Sequence, residues 1–190
     1  MDLTAAKGLL YCALGLFVLL AWLRERRKRR REGGPERFWP GTTDAPAAAY
    51  YMAAAGAILI TVAEAAVEKR AGLTELQSVI PAVFIFQLLG ASVVEEALFR
   101  GFVAPSELVG PKLLALVVIG SVVFSLIHNF DLGTTEGQVN AAFAFITSVW
   151  LYVMRFNPLN PDRSLLPCLV GHAARNLAVF GIKWAQGYVN

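Results

Sequence analysis

The sequence predicts an all-α protein: a single integral-membrane domain, residues 1–190, built as a polytopic bundle of about six transmembrane helices. Of its 190 residues, 56% are hydrophobic and only 16% are charged, a balance too apolar for an ordinary soluble domain. Apolar stretches that approach the roughly 20 residues needed to cross a bilayer recur along the whole chain. The candidate spans are Leu3–Leu23, Ala47–Val67, Leu76–Ala104, Lys112–Phe130, Val139–Met154 and Leu165–Trp184.

The first span is followed directly by a basic run, Arg24 to Arg31. A secretory signal peptide carries its positive charge before its apolar core, so this order indicates a retained anchor. Basic residues after a span also fix membrane orientation, which explains the run better than nucleic-acid binding does. We therefore expect a cytoplasmic basic juxtamembrane loop over residues 24–45, an outer N-terminus and no nucleic-acid partner.

The later spans are separated by short breaks. Gly110 and Pro111 stop one helix and start the next, so we expect the third and fourth spans to pack as an antiparallel hairpin. Glu64 lies near the far end of the second span, and we interpret it as a charge at headgroup level. Cys12 and Cys168 fall in spans far apart in sequence, which predicts free, buried thiols.

Three charged residues close the third span. On a helix Glu96 and Arg100 stand four positions apart, where they can pair. Glu95 is rotated by roughly 100° from Glu96, so it must find its partner on another helix. Ionisable groups at membrane depth are costly and mark functional sites; a charge cluster at a helix end among the headgroups is the alternative interpretation.

Both histidines of the chain also fall in predicted spans. Counting about 1.5 Å per residue from the turn between the third and fourth spans places Glu95 and His128 each roughly 24 Å away. His172 lies about 10 Å from the predicted inner loop, and Asn176 shares its helical face. Depth counting therefore permits these groups to meet without requiring it.

The residue types suit two chemistries. Glu95 and His128 can activate a water, while His172 and Asn176 can donate hydrogen bonds to an oxyanion. Alternatively, Glu95, His128 and His172 could bind zinc with a water completing the site. Asparagine is a poor zinc ligand and would have no role in that version, so we favour a metal-free site without a cofactor.

The three charged or polar clusters form motifs in a fixed order. Glu95-Glu96 followed by Arg100 has the form EExxxR, Phe124 and His128 the form FxxxH, and His172 and Asn176 the form HxxxN. In this order the sequence resembles the CPBP family, the CAAX proteases and bacteriocin-processing enzymes. The resemblance covers roughly residues 77–180.

This resemblance implies a glutamic-type intramembrane endopeptidase. Glu95 would be the base that activates water, assisted by His128, and His172 and Asn176 would form the oxyanion hole. Glu96 and Arg100 would support the site. Phe124 would shape the substrate groove, although core packing explains it equally well.

The implied substrate is a membrane-anchored, prenylated or C-terminal-anchor-bearing protein, and the expected location is the bilayer of a prokaryotic plasma membrane. Two other functions fit the same residues. One is a catalytically inactive membrane scaffold or immunity protein with the same fold. The other is a small transporter that uses the Glu and His cluster as a proton relay.

Overall fold

The computed structural model describes residues 3–34 and 38–190. Within them the chain forms six α-helices, one 3-10 turn over Thr74–Leu76 and one π-helical segment over Ala97–Phe102. The β-structure in the described residues is limited to one isolated parallel bridge between Ile80 and Val189. The all-α prediction is therefore confirmed. The helices are α1 Leu3–Glu32, α2 Ala47–Arg70, α3 Phe84–Glu96, α4 Gly110–Ile127, α5 Thr135–Phe156 and α6 Leu166–Ala185.

Four of the helices are long and apolar enough to cross a membrane, namely α1, α2, α4 and α5. Helix α3 has 13 residues, about 20 Å, which is less than the roughly 30 Å thickness of the hydrocarbon core. Helix α6 is long enough, but His172, Arg175 and Lys183 reduce its hydropathy. The protein is an integral membrane protein whose described residues include four such helices, where the sequence predicted six spans.

The predicted loop over residues 24–45 is wrong over residues 24–32, because α1 continues through the basic run to Glu32. Arginine, lysine and glutamate are good helix formers, and cations are favourable near a helix C-terminus. Gly33 ends the helix with a φ of 70°, and its N–H donates to the Arg29 carbonyl. This left-handed conformation is one that glycine adopts without strain.

From Phe38 onwards the chain packs back along α1. Asp44 accepts hydrogen bonds from Arg26 and from Arg30, the latter at 2.8 Å and 2.6 Å. Partial burial raises the pKa of Asp44, but these two arginines outweigh it and hold that pKa below its usual value. The end of the loop is thereby fastened to the basic part of α1.

Helices α1 and α3 meet backbone to backbone. A Cβ atom on Gly15 would lie 2.6 Å from the Gly90 Cα atom, and one on Gly90 would lie 2.5 Å from the Tyr11 carbonyl oxygen. Both positions therefore require glycine for this close approach. The first helix is in this way a direct support of α3.

The predicted hairpin of the third and fourth spans is also wrong. Helix α4 begins at Gly110 with Pro111 in its first turn, as predicted, but its principal neighbour is α5, whereas α3 packs mainly on α1 and α6. The π-helical segment and α4 meet through Phe99 and Phe124, whose rings are 5.3 Å apart. The chain leaves the helix at Phe102, so no tight turn joins the two arms.

The core lies where α1, α2, α5 and α6 converge. Trp22 is its largest apolar side chain, is 1% exposed, and donates its indole N–H to the Pro40 carbonyl at 3.0 Å. Cys168 lies in this core, and its thiol is free. The thiol of Cys12 is also free, but this residue is only partly buried. The remaining buried members of the cluster are Ala53, Met154, Leu165 and Leu169.

Candidate active site

A buried ion pair lies at the junction of α3 and the π-helical segment. Glu96 and Arg100 are both 0% exposed, and Arg100 Nη1 donates to Glu96 Oε1 at 3.0 Å. Arg100 Nη2 donates to the carbonyl and the hydroxyl of Ser148, at 3.1 Å and 2.5 Å. A buried charge is tolerated only with such partners. The pairing predicted from the four-residue spacing is confirmed.

Aromatic rings enclose the Arg100 guanidinium. Its central carbon lies 4.7 Å from the centroid of the Phe124 ring and 4.7 Å from that of the Tyr152 ring, within the range of cation–π attraction. Tyr152 in turn donates its hydroxyl to the Phe99 carbonyl at 3.0 Å. Phe124 is 2% exposed, so it packs in the core and also lines the cavity described below.

His172 joins the two adjacent glutamates. Its Nδ1 lies 2.8 Å from Glu96 Oε1, and its Nε2 lies 3.8 Å from Glu95 Oε2. An ionised carboxylate only accepts hydrogen bonds, so Nδ1 carries a proton when Glu96 is charged. Nε2 then faces Glu95 at 3.8 Å, which is beyond direct hydrogen-bonding distance. Glu95 finds its partner on another helix, as expected.

His128 follows the last residue of α4. Its Nδ1 lies 2.7 Å from the Phe124 carbonyl oxygen; a carbonyl only accepts, so Nδ1 is the protonated nitrogen and Nε2 keeps its lone pair. Asn129 ends the helix with a φ of 56°, a left-handed conformation that asparagine tolerates better than most residues. The His128 ring is also stacked on Phe130, at a centroid distance of 5.6 Å.

One cavity of about 150 Å³ brings the predicted catalytic residues together. It is bounded by α3, α4, α5 and α6, so groups that are up to 81 positions apart in sequence face the same space. Among its lining residues are Glu95, Phe124, His128, His172 and Asn176.

Asn176 makes a contact that the sequence did not indicate. Its side-chain nitrogen donates to the Leu88 carbonyl at 3.0 Å and to the Ser92 hydroxyl at 2.8 Å. Both amide protons are therefore engaged with α3, and Asn176 fastens α6 to the helix that carries Glu95. To donate a hydrogen bond to an oxyanion, Asn176 would first have to release one of these two bonds.

Arg175 and Glu64 form a second ion pair across α6 and α2. Arg175 Nη2 donates to Glu64 Oε2 at 3.0 Å, and Arg175 Nε donates to the Thr147 hydroxyl at 3.1 Å. Glu64 is 8% exposed, so the arginine holds this carboxylate inside the bundle, and its interpretation as a headgroup-level charge stays a prediction. A polar cavity of about 320 Å³ adjoins this pair and shares Phe130 and Arg175 with the first cavity.

Sequence reasoning missed Arg175, Ser92 and Ser148 as supports of this site. Arg175 did carry a signal, since an arginine inside a span requires a partner. The two serines carried none, because a hydroxyl in an apolar helix is as easily satisfied by its own backbone.

The alternative zinc site requires Glu95, His128 and His172 to converge. Over residues 3–34 and 38–190, no three His, Cys, Asp or Glu side chains form a group that could hold a metal ion. His172 and His128 each engage Nδ1 with another partner, which leaves Nε2 of each ring as the nitrogen that could bind a metal. The metal-free site therefore stays a prediction, which chelation tests below.

The fold and this interior site define a membrane-embedded helical protein with ionisable groups around one cavity. A family model described as type II CAAX prenyl endopeptidase Rce1-like matches residues 77–178, more than half of the chain. The chain belongs to this family of membrane proteases, in agreement with its resemblance to the CPBP family. It is accordingly an enzyme at the family level, an intramembrane endopeptidase acting on membrane-anchored proteins. Searches of curated proteins and of solved structures found no match.

Proposed function

We propose that the protein is a glutamic-type intramembrane protease, in which Glu95 activates a water for attack on a peptide bond. The observation that carries this proposal is the row formed by Glu95, His172 and Glu96, with contacts of 3.8 Å and 2.8 Å, at the edge of one cavity. Glu95 is the more exposed glutamate of the row, with its side chain 22% exposed, and its 3.8 Å contact with His172 is longer than a hydrogen bond.

In the proposed reaction the Glu95 carboxylate takes a proton from water, and the resulting hydroxide attacks the carbonyl carbon of the scissile bond. His128 assists through Nε2, which its Nδ1 contact leaves as an acceptor. The tetrahedral oxyanion accepts a hydrogen bond from His172 Nε2 when that ring is doubly protonated. Glu95 then returns its proton to the leaving amine, the C–N bond breaks, and the new carboxylic acid passes its remaining proton to the amine, which leaves a carboxylate and an ammonium group.

Glu96 and Arg100 position the site in this proposal. Glu96 receives both Arg100 and the His172 Nδ1–H on one oxygen, which fixes the ring plane of His172. Asn176 has a second positioning role through Ser92, beside its role as an oxyanion donor. Phe124 forms part of the wall of the catalytic cavity, and its ring packs against the Arg100 guanidinium.

We further propose a prenylated or C-terminally anchored protein as the substrate. The location would be a prokaryotic plasma membrane, with residues 24–31 on the cytoplasmic side. A cavity of this polarity persists at membrane depth only where protein or water, rather than lipid, surrounds it.

A cleavage assay tests the proposal. Purified protein in proteoliposomes is given a farnesylated peptide with a C-terminal CAAX sequence and, separately, a peptide with a C-terminal membrane anchor. We expect mass spectrometry to detect cleavage of one of them at a single peptide bond. If neither is cleaved by protein that is folded and correctly inserted, the proposed substrate class is wrong.

The same assay separates the metal-free mechanism from the zinc alternative. We expect 1,10-phenanthroline or EDTA to leave the cleavage rate unchanged, because the proposed base and donors are all side chains. Loss of activity on chelation that added zinc restores would contradict this mechanism, while the endopeptidase assignment itself would stand.

A further inference from the structure

A long apolar groove runs along the second half of α1, far in sequence from the catalytic motifs. It has a volume of about 670 Å³ and lies between α1 and the Phe38–Trp39 segment. Its walls are apolar side chains, and Phe17, Leu20 and Phe38 are 65%, 56% and 67% exposed. We name this feature, between Phe17 and Lys28, the α1 groove.

The α1 groove changes from apolar to basic along its length. Phe17 and Leu20 line one end, while Arg24 and Lys28 line the other. These positions follow the three- and four-residue spacing of one helical face. From Phe17 to Lys28 the helix rises about 16 Å, which crosses from the apolar span into the basic run. The groove therefore spans the boundary between hydrocarbon and headgroups.

Local contacts hold the groove open. The carboxylate of Glu25 accepts hydrogen bonds from the backbone N–H groups of Phe38 and Trp39, both at 3.1 Å to Oε1. The aromatic segment is thereby fixed beside the helix instead of collapsing onto it. The negative charge of Glu25 is engaged in this anchoring.

The cations at the rim are available to a ligand. Arg24 is exposed and makes no ion pair within the described part of the chain, and Lys28 has only a 4.0 Å contact with the Glu32 carboxylate. Arg26 and Arg30, by contrast, are both bound to Asp44. The rim therefore presents two positive charges above an apolar channel.

We propose that the α1 groove binds an anionic phospholipid, with one acyl chain along Phe17, Leu20 and Phe38 and the phosphate between Arg24 and Lys28. Charge complementarity selects this occupant: a phosphodiester satisfies the two cations. A prenyl chain and its thioether carry no charge, and a second copy of α1 would bring like charges together. This site is separate from the proposed catalytic cavity and does not depend on proteolysis.

Fluorescence quenching tests the proposal, because Trp39 lines the groove. Protein in detergent is titrated with phosphatidylglycerol or phosphatidylcholine carrying brominated acyl chains. We expect phosphatidylglycerol to quench at lower concentration than phosphatidylcholine, and Trp39→Phe to remove most of that saturable quenching. Each basic residue near an anionic surface contributes about 1 kcal/mol, so Arg24→Gln with Lys28→Gln should weaken binding about thirtyfold.

A matched control distinguishes a site from a generally charged surface. Arg27→Gln with Arg31→Gln removes the same charge from the same helix, but neither residue lines the α1 groove; we expect little change in phosphatidylglycerol binding. Ala21→Phe fills the groove without changing charge and should also abolish saturable quenching. Three results would overturn the proposal. The first is equal quenching by both lipids, and the second is an equal loss of phosphatidylglycerol binding in the two double variants. The third is displacement of the bound lipid by farnesylcysteine methyl ester at lower concentrations than by phosphatidylglycerol.

Discussion

Replacing Glu95 with glutamine is expected to leave a folded protein whose cleavage rate falls by about 100-fold to 10,000-fold, the contribution typical of a general base. Glutamine keeps the size and hydrogen-bonding capacity of the side chain but cannot take a proton from water. The variant retains the neighbouring Glu96–Arg100 pair, so its thermal unfolding should match that of the unchanged protein. The measurement is the single-turnover cleavage rate in proteoliposomes.

Glu107→Gln is the matched control for this variant. It makes the same chemical change at an exposed loop position outside the cavity, and it should cleave at the unchanged rate. Full activity of Glu95→Gln would remove Glu95 from the mechanism, even if the protein proves to be an active protease.

The largest expected effect on stability comes from Arg100→Met. Glu96 is 0% exposed, and loss of Arg100 would leave its charge buried with only His172 beside it. Removing one partner of a buried ion pair typically costs about 3–5 kcal/mol. We expect a clear fall in thermal unfolding temperature in detergent and a low yield from membranes. An unfolding temperature equal to that of the unchanged protein would show that the pair is not a structural element.

The double variant Glu96→Met with Arg100→Met separates stability from catalysis. Replacing both buried charges with apolar groups of similar volume is often neutral or stabilising, so the unfolding temperature should largely recover. Activity should not recover, because His172 loses the acceptor that orients its ring. Recovery of both properties would mean that Glu96 has no part in positioning His172.

The sequence predicted the helical class and the pairing within its first motif because both depend on short-range patterns, whereas it permitted the three motifs to meet without requiring it. The Glu96–Arg100 pair follows from a four-residue spacing, and the different direction of the Glu95 side chain follows from the helical period. Long apolar stretches likewise locate most of α2 and α5. These features need no knowledge of how helices are arranged in space.

Other features depend on tertiary contacts that local patterns do not encode. The hairpin expectation treated Gly110 as a tight turn between packed arms, whereas the Gly15–Gly90 contact draws α3 towards α1. The 15-residue count from Glu95 to that turn also assumed one continuous helix, which in fact ends at Phe102. The Glu64–Arg175 ion pair was not predicted for the same reason, since the two residues are 111 positions apart in sequence.

Helix α1 shows how much of the site lies outside the family motifs. The family match begins at residue 77, yet α3, which carries Glu95, packs on α1 through Gly90. The basic run that suggested only a topology signal is also a helical surface with a groove beside it. Sequence patterns marked its charge but not its shape.

The most direct test of the central claim, that Glu95 activates water, is a single-turnover cleavage in H₂¹⁸O followed by mass spectrometry of product and protein. We expect one ¹⁸O atom in the new carboxylate of the product and none in the peptide that contains Glu95. Transfer of ¹⁸O into the Glu95 carboxylate would indicate a covalent acyl intermediate on that residue and would contradict its role as a base.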